Sequence, residues 1–468
     1  MTNQHFRALI LGIDGGTLQL VDEGIAAGQL PNLARLLDTS AHGESTTTWP
    51  AHTAPGWASF VAARQPGGHG IYQFFDTQDT GYGDRLLETP DFGCDTIWEW
   101  LNAQRLTVGL INVPMSHPPR DLEGFELTWP LRKTLRFSNP PGLLGDLARA
   151  GAPFKPDVAG MYQGEDDYLD LALANVRARM ATTRYMMTNH PTDVLMLVIT
   201  EVDRICHHYW HFADPCHPQH QIPTTKDAKQ ALAIVYCVVD EVFGEILEMI
   251  DDEVPVLLLS DHGFGPGRYQ VALNTLLADA GLLAVKSADR ASGARWFRTP
   301  DGRRTIDFSA TEAYMPTPGC YGVNVNLRGR QRLGRVRPED KNKVLSEVAN
   351  VALALTAPDT GNPVFSSALT AEQAYPGPYS SRAPDLLLIP ADEGVLASPG
   401  LTDRIFENSE QTGMHRYRGL WALRAPGLNP GRREQPVNIT DLGPFLLGLM
   451  GVGVPREVQR DSAQELLP

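Results

Sequence analysis

Long apolar runs are missing from this 468-residue chain. No stretch reaches the roughly 18–20 continuous apolar residues that a bilayer requires, so no membrane span is expected. Cysteine is scarce: Cys94, Cys206, Cys216, Cys237 and Cys320 are scattered and odd in number, so no disulfide framework is suggested. Basic residues are outnumbered, 40 Lys and Arg against 55 Asp and Glu, giving a formal charge of −15. A nucleic-acid polymer is therefore not an expected partner, because binding one needs clustered Lys and Arg. The first residues show neither a basic n-region nor a long apolar h-region, so no secretory signal is expected. Taken with the cysteine usage, a reduced, cytoplasmic protein is the expectation. Asn438-Ile439-Thr440 fits the glycosylation acceptor pattern, which has no meaning in that compartment.

What the chain does have is an apolar fraction of 42%, enough for a large core. Three apolar, largely β-branched runs, Ala8–Ile13, Asp193–Thr200 and Val254–Ser260, read as buried strands. Helical patterns lie between them, so they predict a central, mostly parallel sheet flanked by helices, an α/β fold. Each run is followed by metal-capable side chains: Asp14 after the first, Asp203 and His207 after the second, Asp261 and His262 after the third. Open parallel sheets bind ligands outside the carboxyl ends of their strands, so these five side chains are expected along one edge.

Other elements follow from local signals. Pro31–Leu37 reads as a helix, and another is predicted from Thr53 to about Ala63, with Thr53 as N-cap and Pro55 in its first turn. Thr96–Ala103 and Thr107–Val113 predict a further helix and strand, and Asp167–Asn189 and Thr225–Ile250 long helices. Phe75–Gly93 and Pro114–Asp157 are rich in Pro, Gly and aromatics and read as loops over the sheet edge. Residues 273–400 are expected to form an inserted cap in a catalytic core made of 1–272 and 401–468, with a strand at Asp385–Pro390. The sheet resumes at Gly419–Ala425, and Ile439–Met450 closes the fold as a helix.

Asp203 and His207 stand one helical turn apart if the chain turns helical there, a spacing that lets carboxylate and imidazole grip one cation. Gly15-Gly16 and Gly263 supply backbone freedom after the other two strands, and Gly413-Met414-His415 offers one more imidazole. Carboxylates and imidazoles without cysteine suit Zn²⁺ or Mn²⁺, and six ligands suit two ions with open positions. Two such ions clamp the attacking and leaving oxygens of a phosphoryl displacement and would supply the local positive charge an acidic protein needs for a small anionic, phosphate-containing substrate. Thr53 is the candidate nucleophile, since a helix N-terminus favours a phosphate.

The ordered set Asp14-Gly15, Pro31-Asn32-Leu33-Ala34-Arg35-Leu36, Thr53-Ala54-Pro55-Gly56-Trp57 with His69-Gly70-Ile71, Asp203-Arg204-Ile205-Cys206-His207, Ser260-Asp261-His262-Gly263 and Gly413-Met414-His415 resembles the alkaline phosphatase superfamily. The branch it is most similar to is the type I phosphodiesterase/nucleotide pyrophosphatase group, from about residue 7 to residue 452. The resemblance implies an alkaline phosphatase-like fold. It also implies that Asp14, Thr53, Asp261 and His262 hold one metal ion and Asp203, His207 and His415 the other. Thr53 would attack phosphorus to give a phospho-threonine that is then hydrolysed, at a dinuclear zinc site, with a phosphodiester or nucleotide pyrophosphate as substrate. A phosphomonoesterase, a phosphonate hydrolase, or a catalytically silent binding protein on the same scaffold are the alternatives. Many nucleotide pyrophosphatases carry Asn three residues after the nucleophile; here that position is Gly56, whose backbone N–H or a side chain elsewhere must serve. With no Cys at the nucleophile position and no Cys-x-Pro-x-Arg run, a formylglycine sulfatase is not expected.

Gly56, Trp57, Arg204 and His208 are the candidate substrate contacts, although packing is the plainer reading for His208 and Trp57. The group His207, His208, His211, Cys216, His217 and His220 matches no zinc spacing and reads as one helix face. Arg328, Arg330, Arg332 and Arg335 read as a solvated charge run, and His69 as a structural hydrogen bonder.

Overall fold

Strand β1 (Ala8–Ile13) is buried at every position. Leu9, Leu11 and Ile13 point into one hydrophobic core, and Ala8 and Ile10 into another. That period-2 division means both faces of the sheet are covered, which is why the strand reads as a continuous apolar run rather than an alternating one. The computed structural model describes residues 6–131, 134, 137–156, 167–223, 225–288 and 293–458.

The remaining strands of this sheet are β2 (Ala41–Thr46), β3 (Val108–Ile111), β4 (Gly124–Leu127), β5 (Ser138–Asn139), β6 (Val194–Ile199) and β7 (Val256–Leu259). Outside it, β8 (Gly263–Pro266) pairs with β9 (Gly413–Arg416). Strands β10 (Arg418–Arg424) and β11 (Gly431–Asn438) complete the sheet, whose order is β11-β2-β10-β7-β1-β6-β3-β4-β5. From β7 across to β4 the pairing is parallel, while β10 runs antiparallel to both β7 and β2. The three strands β7, β1 and β6, each followed by candidate ligands, are thus direct neighbours, running the same way.

One face carries α1 (Leu18–Ala26), α2 (Pro31–Asp38), the long α5 (Tyr168–Asn189), α6 (Glu201–Ala213) and α7 (Lys226–Leu247). The other carries α3 (Thr53–Ala62), α4 (Ile97–Ala103) and the closing α8 (Ile439–Leu449). Two expectations are corrected. His52, not Thr53, is the N-cap of α3: its Nδ1 accepts from Ala54 N–H at 3.2 Å, and Thr53 is the first helical residue. The segment expected to loop from Pro114 contributes β4 and β5 to the sheet and a short helix at Leu143–Arg149; its end at Asp157 lies outside the described residues. Its Pro and Gly content masked a β4 of only four residues, Gly124–Leu127.

The chain divides into two compact units, one of residues 1–65, 88–266 and 415–468, the other of 66–87 and 267–414. The second contains the 273–400 stretch and adds 66–87 to it. Within it, Gly322–Val325, Leu386–Pro390 and Phe365–Thr370 form an antiparallel sheet with Ala313–Tyr314. Its arginine run is largely structural. Arg330 grips the buried Asp385 through Nη1 at 2.7 Å and Nη2 at 2.5 Å, and Arg335 pairs with Glu312. Buried His69 accepts from Ile71 N–H at 3.1 Å, and burial lowers it to about 3. No helix among the described residues is long and apolar enough to cross a membrane.

Candidate active site

Where β1 ends, Asp14 is buried and Gly15 turns the chain at φ 68°. A Cβ on Gly15 would meet the Phe264 ring at 2.7 Å, so glycine serves both the left-handed turn and the close approach. The freed Gly15 N–H donates to Asp261 Oδ1 at 3.1 Å, tying the first strand's end to the third's. After β6, Thr200 leads into α6, whose first two turns place Asp203 and His207 on one face; His207 Nε2 lies 3.4 Å from Asp203 Oδ1. From β9 comes His415, with Nε2 3.0 Å from that same oxygen and 3.0 Å from His207 Nε2. Its Nδ1 lies 2.9 Å from Ala51 O, which can only accept, so Nδ1 carries the hydrogen and Nε2 is left with its lone pair.

His262 follows β7, with Nε2 3.2 Å from Asp261 Oδ2, 3.6 Å from Asp14 Oδ1 and 3.9 Å from Asp203 Oδ1. Thr53 Oγ1 closes the group, 3.4 Å from Asp14 Oδ1 and 3.4 Å from His262 Nε2. Ligand atoms therefore gather in two knots, Asp203 with His207 and His415, and Asp14 with Asp203 and His262, each within 4.8 Å. Asp203 belongs to both. All seven residues expected as ligands, distant in sequence, lie in this one neighbourhood.

The electrostatics are those of a site short of positive charge. Burial, then the neighbouring Asp261 and Asp203, raises the Asp14 carboxyl well above its ordinary range. Burial also raises Asp261, against the pull of the Gly15 N–H. For Asp203 burial pushes upward too, but His207 and His415 outweigh it and hold the carboxyl well below the usual value. Burial, then His415, pushes His262 and His52 well below the ordinary imidazole range, and burial lowers His415. Neutral imidazoles facing crowded carboxylates are what a divalent cation requires of its ligands. Asp261 Oδ2 is buried and accepts no hydrogen bond among the described residues, an acceptor that a cation would satisfy. The donor set fits a pair of divalent ions.

The expected substrate contacts divide. Arg204 stays beside the knots, its Nη1 3.5 Å from Asp203 Oδ2 with about a quarter of the side chain exposed at 24%. Gly56 does not remain a candidate: its N–H already donates to His52 O at 2.9 Å, and an added Cβ would meet Asp261 O at 2.9 Å. Trp57 is likewise no stacking surface, being wholly buried with its Nε1–H donated to Asp14 Oδ2 at 3.1 Å. His208 is buried against Tyr168 at 5.8 Å between ring centroids, and burial, then His207 and Arg204, lowers it to about 3. The other histidines of that helix and the following loop join no metal-competent group among the described residues.

Two contributors were not legible beforehand. His52 caps α3 and sets its ring 5.7 Å from that of His415, edge to face. Phe264 walls the site with ring centroids 4.8 Å from His207 and 5.3 Å from His415. A His directly before a helix start was the only signal for the first; Phe264, next to Gly263, carried none.

Residues 8–418 match the family model described as type I phosphodiesterase/nucleotide pyrophosphatase. No curated protein matches the sequence. Among solved structures, phosphonoacetate hydrolase from Sinorhizobium meliloti in complex with phosphonoacetate is similar at a TM-score of 0.61 and 14% identity, covering 96% of each chain. Human ectonucleotide pyrophosphatase/phosphodiesterase 5 is similar at 0.56 and 14%, covering 98% of this chain and 99% of that one. An inactive variant of the mouse protein in complex with AMP gives 0.57 and 12%, covering 99% and 100%. At such identities these likenesses show the fold alone, an alkaline phosphatase-like one.

Proposed function

Because the chain belongs to the type I phosphodiesterase/nucleotide pyrophosphatase family of hydrolases, we propose that it cleaves a phosphodiester or nucleotide pyrophosphate bond with Thr53 as nucleophile. Asp14, Thr53, Asp261 and His262 would hold one divalent ion and Asp203, His207 and His415 a second, Zn²⁺ in first place and Mn²⁺ in second. When bound, such a pair supplies positive charge to the phosphate oxygens and acidifies a coordinated hydroxyl.

The observation that carries this reading is the place of the Thr53 hydroxyl, 3.4 Å from both Asp14 Oδ1 and His262 Nε2 and at the first residue of α3. There it is held among ligands at the positive end of a helix dipole. In the forward step Thr53 Oγ, its proton given up to water, bonds to phosphorus as the P–O bond to the leaving group breaks; the leaving oxygen takes a proton from water, and a phospho-threonine remains. Water then cleaves the Thr53 Oγ–P bond. Arg204 lies close enough to the knots for its guanidinium to bind a phosphoryl oxygen, taking the part that Gly56 cannot. The five cysteines, all free thiols, support a reducing compartment as its setting.

The test is turnover of an aryl phosphodiester with added Zn²⁺. Thr53→Ala is expected to lose on the order of 10³-fold or more in kcat, the scale of a missing nucleophile. Equal rates in parent and variant would remove Thr53 from the reaction, and no turnover in either would favour a silent binding protein. A second reading, phosphonate hydrolysis, is supported by the whole-chain likeness to a phosphonoacetate hydrolase; phosphonoacetate offered beside the diester ranks the two.

A further inference from the structure

Trp57 lies one turn along α3 from Thr53 and is fully buried. A Cβ on Gly12 of β1 would meet its ring at 2.6 Å, so the indole is packed hard against the strand that leads to Asp14. Phe60 packs edge to face on it at 6.4 Å. With the ring immobilised, the direction of its N–H is fixed, and that N–H donates to Asp14 Oδ2. The other oxygen, Oδ1, is the one turned toward Thr53 and His262.

We infer that Trp57 is a selectivity determinant for the cation beside Thr53: by engaging Asp14 Oδ2, it restricts that carboxylate to a single ligand oxygen. The inference rests on the two-ion reading above. With Oδ2 already accepting from the fixed indole, a bidentate Asp14 would have to share that oxygen between the N–H and the cation, which is less favourable than ligation through Oδ1 alone. Zn²⁺ is satisfied by four ligands in a tight set, whereas Mn²⁺ accepts more oxygen ligands. A carboxylate limited to one oxygen therefore favours the former. Neighbouring Gly56 works in the same sense, since its bare Cα lets α3 press directly on Asp261. Beyond the nucleophile itself, Gly56 and Trp57 on this helix face thus serve the cation rather than the substrate, and Trp57 is a positioning residue acting through Asp14.

The test titrates Zn²⁺ and, separately, Mn²⁺ into chelator-stripped parent and Trp57→Phe against a chromophoric competitor. Trp57→Phe is expected to keep one zinc site at parental affinity and to weaken the other about 10–100-fold, the usual effect of losing an outer-shell partner. Manganese should lose less, so the zinc-to-manganese affinity ratio at that site falls. A role in packing alone would lower thermal stability and leave the ratio at its parental value; that result overturns the inference. Trp57→Tyr, which keeps an aromatic ring without the indole N–H, carries the same expectation should the Phe variant not fold. In the ¹⁵N-labelled parent, one of the eight indole N–H resonances should shift with zinc, and a spectrum in which none responds overturns the inference without any variant. A parent that binds fewer than two zinc ions instead defeats the two-ion reading itself.

Discussion

His207 and His415, remote in sequence and carried on a helix and a strand, bring their Nε2 atoms to 3.0 Å of each other beside a single oxygen of Asp203. A divalent cation seated among these three atoms would be ligated by all of them. His415→Ala is therefore expected to lower bound zinc from two ions per chain to one, with the Thr53 side still loaded. Elemental analysis after dialysis checks the stoichiometry, and an unchanged count would take His415 out of the ligand set.

Gly56→Ala tests how tightly α3 rests on the third strand's end. The new Cβ would sit 2.9 Å from Asp261 O and 3.0 Å from Asp261 Cβ, so Asp261 must move. Overpacking of this kind costs about 1–3 kcal/mol. A lower melting temperature together with weaker zinc binding is expected; full zinc affinity would show that Asp261 is not displaced.

Asp261→Asn probes the crowding of carboxylates in the metal-free protein. Burial raises the folded pKa of Asp261, so its contribution to stability is present below the unfolded value near ~4 and is lost as pH rises through the folded one. The metal-free Asn variant should gain in melting temperature over the parent as pH goes from about 4 to about 7. A gap independent of pH would contradict the assignment, and zinc should erase the advantage by stabilising only the parent.

Arg179 on α5 and Glu201 at the start of α6 form an ion pair with both side chains fully buried. Arg179 Nη2 donates to Glu201 Oε1 at 2.9 Å, anchoring the turn that presents Asp203 two residues later. Removing one partner strands a buried charge, so Arg179→Met should destabilise by roughly 3–5 kcal/mol. Combining it with Glu201→Leu should restore most of that loss in denaturant melts. Additive losses would argue that the two side chains are not coupled.

Much of this site could be read without coordinates. Apolar β-branched runs ending in Asp, and the i,i+4 spacing of Asp203 and His207, are local patterns with local causes: burial on both faces and helical periodicity. The start of α3 was placed within one residue because Pro55 in its first turn signals a helix start, whereas its cap went to the wrong side chain because His is an unusual N-cap. β4 was missed since four residues flanked by Pro and Gly leave too little periodicity to detect.

The sequence by itself determined which side chains are candidates for the chemistry and that most of them stand at strand ends, because residue type and hydrophobic period are properties of neighbours along the chain. Only the tertiary structure decided that Asp203 sits between both knots, that Gly56 is filled by Asp261, and that Trp57 spends its N–H on Asp14. Those are matters of distance across the sheet and between its layers, fixed by how β7, β1 and β6 lie side by side beneath α3, and no spacing along the polypeptide encodes them.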